Sequence, residues 1–230
     1  MRNLTKSVFG LATAGFLVVG LAACSTPAET PSSSSSAAPS ASATTEADPT
    51  PLASIPTLTG VDTQVTLDSG FTGALTTLGL TPGVIGTATL DGATGTLAFP
   101  ITGGNVDYYD PEMDYRPYVQ GEIDHEGSGI SLTAGDTVVK LTDFVIDPGT
   151  SRLTGSVQVG GGEVMNDVYI FNLDGTTLNP LQMEGDNAVL EGTTVKVSPD
   201  AAALLNTTFG TDAVTDELVV GIAKITVNTK

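Results

Sequence analysis

Short apolar runs that alternate with polar residues follow one another from about residue 57 to the C terminus, and Gly and Asp punctuate them. Period-two alternation places successive side chains on opposite faces of a strand, so these runs predict β-strands. Turn signals such as Asp91-Gly92 and Pro148-Gly149 recur about every 8 to 12 residues, which is typical of an antiparallel sandwich or barrel. The predicted strands include Thr87–Leu90, Gly95–Ile101, Val138–Ile146, Arg152–Val159 and Val164–Leu173.

Two segments interrupt this rhythm with a short helical pattern. The first is Gly70–Leu78, and the second is Pro199–Phe209, which has Ser198 as a helix N-cap and Gly210 just past its end. Strand patterns flank both, so the chain carries either an internal pseudo-repeat or two units of convergent composition. The predicted fold is mainly β: an antiparallel β-sandwich or barrel-like domain with one or two short helices.

The first 23 residues have the layout of a secretory signal peptide. Arg2 and Lys6 precede an uncharged apolar run from Val8 to Ala23. The run leads into Leu21-Ala22-Ala23-Cys24, which resembles the lipobox of bacterial lipoproteins. The resemblance implies that Cys24 carries a lipid after cleavage and anchors the protein to the extracytoplasmic face of the cell membrane, because two acyl chains give stable anchoring.

Residues 24–56 are predicted to form a disordered tether. The stretch consists mainly of Ser, Ala, Thr and Pro and has no aromatic residue, so it cannot bury enough apolar surface to offset backbone entropy. The composition fits both a plain spacer and an O-glycosylated stalk. The predicted organisation is a signal peptide over residues 1–23, the lipidated Cys24 and its linker over 24–56, and a single β-rich domain over 57–230.

Charge and rare residues narrow the classes of function. The chain has 8 Lys and Arg against 26 Asp and Glu, a net charge of −18. This balance excludes nucleic acid as a partner, because phosphate binding needs basic side chains. The single Cys excludes an internal disulfide, and the single His excludes a three-His zinc site.

Aromatic and ionisable residues concentrate between Asp107 and Glu126, a stretch predicted to be a loop. Four of the five Tyr, the only His and seven carboxylates lie here. Loops on a β-scaffold often carry function, so a binding site is the favoured interpretation, and a solvated insertion is the alternative. The candidate ligand-binding residues are Tyr108, Tyr109, Tyr115, Arg116, Tyr118 and His125.

Three kinds of chemistry fit this cluster. Carboxylate oxygens suit a hard cation such as Ca²⁺, although the regular calcium-loop spacing is absent. Two facing carboxylates would suit an extracellular hydrolase, whereas a triad on His125 would need Ser128 or Ser131 and has no G-x-S-x-G elbow. Tyrosines suit a cell-wall glycan, although the chain has no Trp. The candidate metal ligands are Asp107, Asp110, Glu112 and Asp114.

Four motifs between residues 95 and 160 carry a further indication: Phe99–Gly104, Val119–Leu132, Val139-x-Leu141-x-Asp143-Phe144-x-Ile146-Asp147 and Leu153-x-Gly155-x-Val157. Together they resemble β-rich domains of exported actinobacterial proteins, in particular the haem-binding HtaA domain. That resemblance implies a Tyr ligand to haem iron and a nearby His, which fall on Tyr118 and His125 here. The favoured function is a lipid-anchored, non-catalytic binding or envelope-interaction module for haem, a cation or a glycan. The alternative is a carboxylate-based hydrolase.

Overall fold

The computed structural model describes residues 49–230, in which strands account for most of the regular structure. The predicted signal peptide, Cys24 and most of the predicted linker lie outside the described residues. The strands are β1 (Ala53–Ile55), β2 (Val61–Leu67), β3 (Thr81–Gly86), β4 (Thr89–Asp91), β5 (Thr96–Pro100), β6 (Gly103–Tyr108), β7 (Val119–Ala134), β8 (Thr137–Asp147), β9 (Arg152–Val159), β10 (Val164–Asp174), β11 (Gln182–Glu184), β12 (Asn187–Val197) and β13 (Val219–Asn228). The helices are α1 (Ser69–Thr77) and α2 (Pro199–Phe209), with a 3₁₀ turn at Gly175–Thr177.

The strands form one curled sheet in the order β1-β6-β7-β8-β9-β10-β12-β13-β2-β5-β4. All pairings between them are antiparallel. Strand β3 pairs with the second half of β7, and β11 pairs with the first half of β12. The curl produces a half-barrel, so the prediction of a mainly β, antiparallel, barrel-like fold with short helices is confirmed.

Aromatic contacts in the core show how far the sheet curls. Phe99 on β5, Phe144 on β8 and Phe171 on β10 are all buried. The ring centroids of Phe99 and Phe144 lie 5.4 Å apart in an edge-to-face arrangement, and those of Phe144 and Phe171 lie 6.4 Å apart. Strands β5 and β8 are distant in the sheet order, so only a strong curl brings their inner faces into contact.

The second helix begins and ends where its sequence signals predict. The Ser198 hydroxyl accepts a hydrogen bond from the backbone N–H of Ala201 at 3.0 Å, and Gly210 ends the helix at φ +65°. The helix buries a small apolar face, including Ala202 and Leu205, and packs on β10. Neither described helix is long and apolar enough to span a bilayer.

The two strand–helix–strand units share an element order but not their pairing. Strands β2 and β12 both pair with β13, on its opposite sides. Strand β3 follows α1 but pairs with β7, whereas β13 follows α2 and pairs with β12. The similarity between the units therefore does not extend to equivalent places in the sheet.

Within the described residues, regular structure is already present before the predicted boundary at residue 57. Strand β1 lies inside the predicted linker and pairs with the edge strand β6, with Ser54 opposite Asp107. Leu58, three residues beyond β1, is buried, and its N–H donates to the Gly104 carbonyl at 2.9 Å. The composition misleads here because backbone pairing to an open edge needs no apolar side chain.

Candidate functional site

A cavity of about 1230 Å³ lies within the half-barrel. Its walls come from β1, β6, the start of β7, the β8–β9 turn, the end of β10, and the facing strands β12 and β13. Ligand pockets usually measure about 300 to 1,000 Å³, so the cavity has room for a ligand at least as large as a typical cofactor. Exposed residues such as Ser54, Thr150 and Met183 also line it, so its rim reaches solvent.

The interior of the cavity is apolar because of strand alternation. Ala223, Ile225 and Val227 are every second residue of β13, and all three line it. Ala188 and Leu190 do the same on β12, where Ala188 lies opposite Val227. Side chains that face one side of a strand repeat every two residues, so these strands present one continuous apolar surface to the cavity.

Two tyrosines lie at the end of the cavity that is formed by β6 and the start of β7. Tyr108, the last residue of β6, and Tyr118, just before β7, both line it. Their rings make an edge-to-face contact with centroids 5.8 Å apart. Burial raises the pKa of Tyr118, the neighbouring Tyr108 raises it further, and Arg116 opposes both effects. The Tyr118 hydroxyl has no hydrogen-bond partner among residues 49–230, so it is available to a ligand.

The other two tyrosines of the cluster do not line the cavity. Tyr109 and Tyr115 pack against each other, with ring centroids 4.6 Å apart. The sequence cluster is therefore divided: one pair of rings is exposed to the cavity, and the other pair stabilises the loop between β6 and β7.

Arg116 organises that loop. Its guanidinium donates hydrogen bonds to the backbone carbonyls of Pro111, Met113 and Tyr115. The guanidinium carbon also lies 5.4 Å from the ring centroid of Tyr118. Arg116 itself is exposed and lines the rim of the cavity, where three of its N–H donors are used within its own loop.

The candidate carboxylates are not gathered into one site. Among residues 49–230, no group of three or more His, Cys, Asp and Glu side chains is placed to hold a metal ion. Asp107 lies on β6, the Asp110 carboxylate accepts from the Glu112 backbone N–H at 2.9 Å, and Asp114 is exposed. A shared calcium site therefore finds no support in the geometry of these side chains.

Among the described residues, Asp174 is the one carboxylate that lines the cavity. Hydrogen bonds from the hydroxyl and backbone N–H of Thr176 lower its pKa, and Lys196 at 3.9 Å adds to that effect. A carboxylate hydrolase needs a second, facing carboxyl group and an acid with a raised pKa. The described lining residues offer neither arrangement around Asp174.

His125 lies in the core, not on the surface. Its Nδ1 is 3.2 Å from the Phe144 carbonyl oxygen, and its Nε2 is 2.8 Å from the Thr63 hydroxyl. A carbonyl only accepts, so Nδ1 carries the proton and Nε2 accepts from Thr63. Burial lowers the pKa of His125 from 6.5 to about 4, which keeps the ring neutral at ordinary pH. Tyr118 lines the large cavity, whereas His125 lines a separate void of about 40 Å³.

The prediction of one loop from Asp107 to Glu126 is wrong at both ends. Strand β6 continues to Tyr108, and β7 starts at Val119, so the loop spans only residues 109–118. In β7, Ile123 and His125 face the core, while Glu122 and Glu126 are exposed. The outward carboxylates mimic a solvated loop, although the period-two alternation was a signal for a half-buried strand.

Comparison with known proteins adds a likeness in fold. No protein-family model and no curated protein sequence matches the chain significantly. The crystal structure of the C-terminal domain of HtaA from Corynebacterium glutamicum aligns at 14% identity with a TM-score of 0.50, over 75% of this chain and 98% of that domain. The two share one fold. The haem-binding protein HtaB from the same organism aligns at 8% identity with a TM-score of 0.48, over 76% of this chain and 96% of that one.

The likeness to HtaA domains that the four sequence motifs predict is therefore confirmed at the level of the fold. The cavity itself was missed by sequence reasoning. Its walls include Ile55 from the predicted linker and Val227 near the C terminus, and no pattern along the sequence indicates that these two residues share one wall.

Proposed function

We propose that the domain is a binding module that holds a large, mainly apolar ligand in the 1230 Å³ cavity. The cavity carries this proposal because it combines size, an apolar interior and two phenols at one end. Pockets of this kind are the default sites for small molecules and cofactors. A folded domain gains nothing in stability by keeping such an apolar space open, so the space is best explained by an occupant.

Haem is the specific ligand that we propose. The tetrapyrrole needs a wide apolar pocket and an axial ligand, and a Tyr oxygen is one of the ligands that ferric haem accepts. The fit rests on the apolar walls of the cavity and on the hydroxyl of Tyr118, which has no hydrogen-bond partner among residues 49–230, with the sequence resemblance to HtaA domains as additional support. Bound ferric haem would supply a Lewis-acidic iron for this oxygen. Tyr118 would hold the iron, and Tyr108 would pack beside it.

This proposal does not include His125 as a ligand. Both of its ring nitrogens are engaged, and it is only about 1% exposed. Its role in the proposal is to stabilise the β-scaffold on which the cavity is built.

An absorbance titration of the full chain with ferric haem tests the proposal. Tyr118→Phe is expected to remove the tyrosinate-to-iron charge-transfer absorption and to weaken haem affinity by about tenfold or more, because the variant keeps the ring and loses the oxygen. Tyr115→Phe is the matched control, because Tyr115 lies in the same loop but outside the cavity lining. A Tyr118→Phe spectrum and affinity equal to those of the wild type would contradict the assignment.

We also propose that the protein is lipid-anchored through Cys24 on the extracytoplasmic face of the cell membrane, on the strength of the signal peptide and the lipobox-like ending. Cys24→Ala is expected to leave the precursor unprocessed or to release the protein from the membrane fraction, as followed by fractionation and intact mass. Ser25→Ala is the control, because it changes the next residue and keeps the thiol. Normal processing and full membrane retention of Cys24→Ala would count against the anchor.

A further inference from the structure

The charged groups around the cavity are few and unequally placed. Of the described lining residues, Arg116 is the one cation and Asp174 the one anion. Apart from the tyrosine pair, the other polar side chains of the lining are uncharged: Ser54, Thr150, Ser151, Asn172, Thr176, Thr193 and Thr229. The interior walls on β12 and β13 carry no ionised side chain among the lining residues.

The single cation is poorly placed to receive a buried acid. Arg116 is exposed at the rim, and three of its N–H donors already bind the carbonyls of its own loop. A carboxylate that contacted the remaining donors would therefore stand at the rim, in water. Away from Arg116, a carboxylate would meet apolar groups and uncharged polar side chains among the described lining residues, and no second cation.

An unpaired carboxylate is costly in such surroundings. Burial of an ionised group without a cationic partner carries a large desolvation penalty, and the group usually stays in water or becomes neutral instead. The field of the whole protein acts in the same direction, because the chain has a net charge of −18.

We propose that the cavity prefers ligands whose buried part is apolar and uncharged, and that it excludes carboxylates from its interior. This inference rests on the proposed function and specifies its ligand class. For haem, the tetrapyrrole would enter the space that separates the wall formed by β12 and β13 from the tyrosine pair. Its two carboxylates would remain at the solvent-facing rim. For other ligands, a neutral amphiphile would be preferred to the corresponding acid.

Two matched pairs of probes test this selectivity on the full chain. The first pair is ferric haem and its dimethyl ester, titrated in the same buffer and cosolvent. The ester is expected to bind at least as tightly as the acid, and the affinity of the acid is expected not to fall as salt is raised. An ester that binds more than about fivefold more weakly than the acid, a difference of about 1 kcal/mol, would overturn the proposal.

The second pair does not depend on haem. Hexadecanol and hexadecanoate are compared for their ability to displace an apolar, environment-sensitive dye from the protein. The alcohol is expected to displace the dye at a lower concentration than the acid. If this holds while haem fails to bind, the haem assignment is lost and the selectivity stands. Equal or better displacement by the acid would overturn the selectivity, whatever haem does.

A variant separates this inference from recognition of carboxylates by Arg116. In Arg116→Met, the ratio of the ester affinity to the acid affinity is expected to equal the wild-type ratio, even if both affinities change through the loop. Arg152→Met is the control, because Arg152 stacks on Tyr169 at 4.6 Å and does not line the cavity. A selective loss of acid binding in Arg116→Met alone would show that the site reads carboxylates and would overturn the proposal.

Discussion

The free energy of unfolding is expected to fall by about 3 kcal/mol between pH 7 and pH 4 through His125 alone. The pKa of this residue is about 4 in the folded protein and about 6.5 in an unfolded chain, because burial disfavours the imidazolium. The folded state therefore binds fewer protons than the unfolded state in this interval. The contribution is fully present above pH 6.5 and is lost progressively as the pH falls towards 4.

Urea unfolding at several pH values measures this effect when the wild type is compared with a variant that has no titrating group at position 125. His125→Gln can still donate to the Phe144 carbonyl and accept from Thr63, so it removes the titration with little change in shape. The wild type is expected to lose its advantage over His125→Gln as the pH falls. Thr63→Val is the control, because it keeps the imidazole and should keep the pH dependence. A stability difference between wild type and His125→Gln that is the same at pH 7 and pH 4 would contradict a buried neutral histidine.

Ala188→Trp is expected to prevent ligand binding without unfolding the domain. Ala188 is a buried residue of β12 that also lines the cavity, so a large indole at this position has the open space of the cavity to enter. A ligand that needs that space should lose about tenfold or more in affinity, while the urea midpoint stays near the wild-type value. Haem affinity and urea unfolding of the same preparation measure the two effects.

The new side chain also reports its own position. The chain contains no other Trp, so the emission of an indole at position 188 is expected to be blue-shifted, as in an apolar environment. Thr89→Trp on the exposed edge strand β4 is the control, because it adds the same side chain outside the cavity lining. Wild-type affinity in a folded Ala188→Trp with a blue-shifted indole would mean that the ligand binds elsewhere.

Local signals allowed much of the fold to be predicted from the sequence. Strand β9 has the predicted bounds, and so does α2, because Ser198 and Gly210 satisfy the ends of that helix through contacts within a few residues. Features that depend on distant partners were not predictable. Strand β1 exists because the edge of β6 is open to it, and its own composition indicates a tether.

The candidate site was predictable only in part, for the same reason. Clustering in the sequence identified Tyr108 and Tyr118, which line the cavity, but it could not separate them from Tyr109 and Tyr115, which do not. The opposite wall comes from β12 and β13, about a hundred residues further along the chain, and is placed by the curl of the sheet. Apolar alternation in those strands indicates a buried face but not that the face borders an open cavity.

Native mass spectrometry of the full chain mixed with ferric haem tests most directly whether the cavity is the ligand site. The account predicts that the wild type retains one haem per chain, and that Ala188→Trp, which fills the cavity, retains none under the same conditions. Equal haem retention by the wild type and a folded Ala188→Trp, or no haem on either protein, would contradict it.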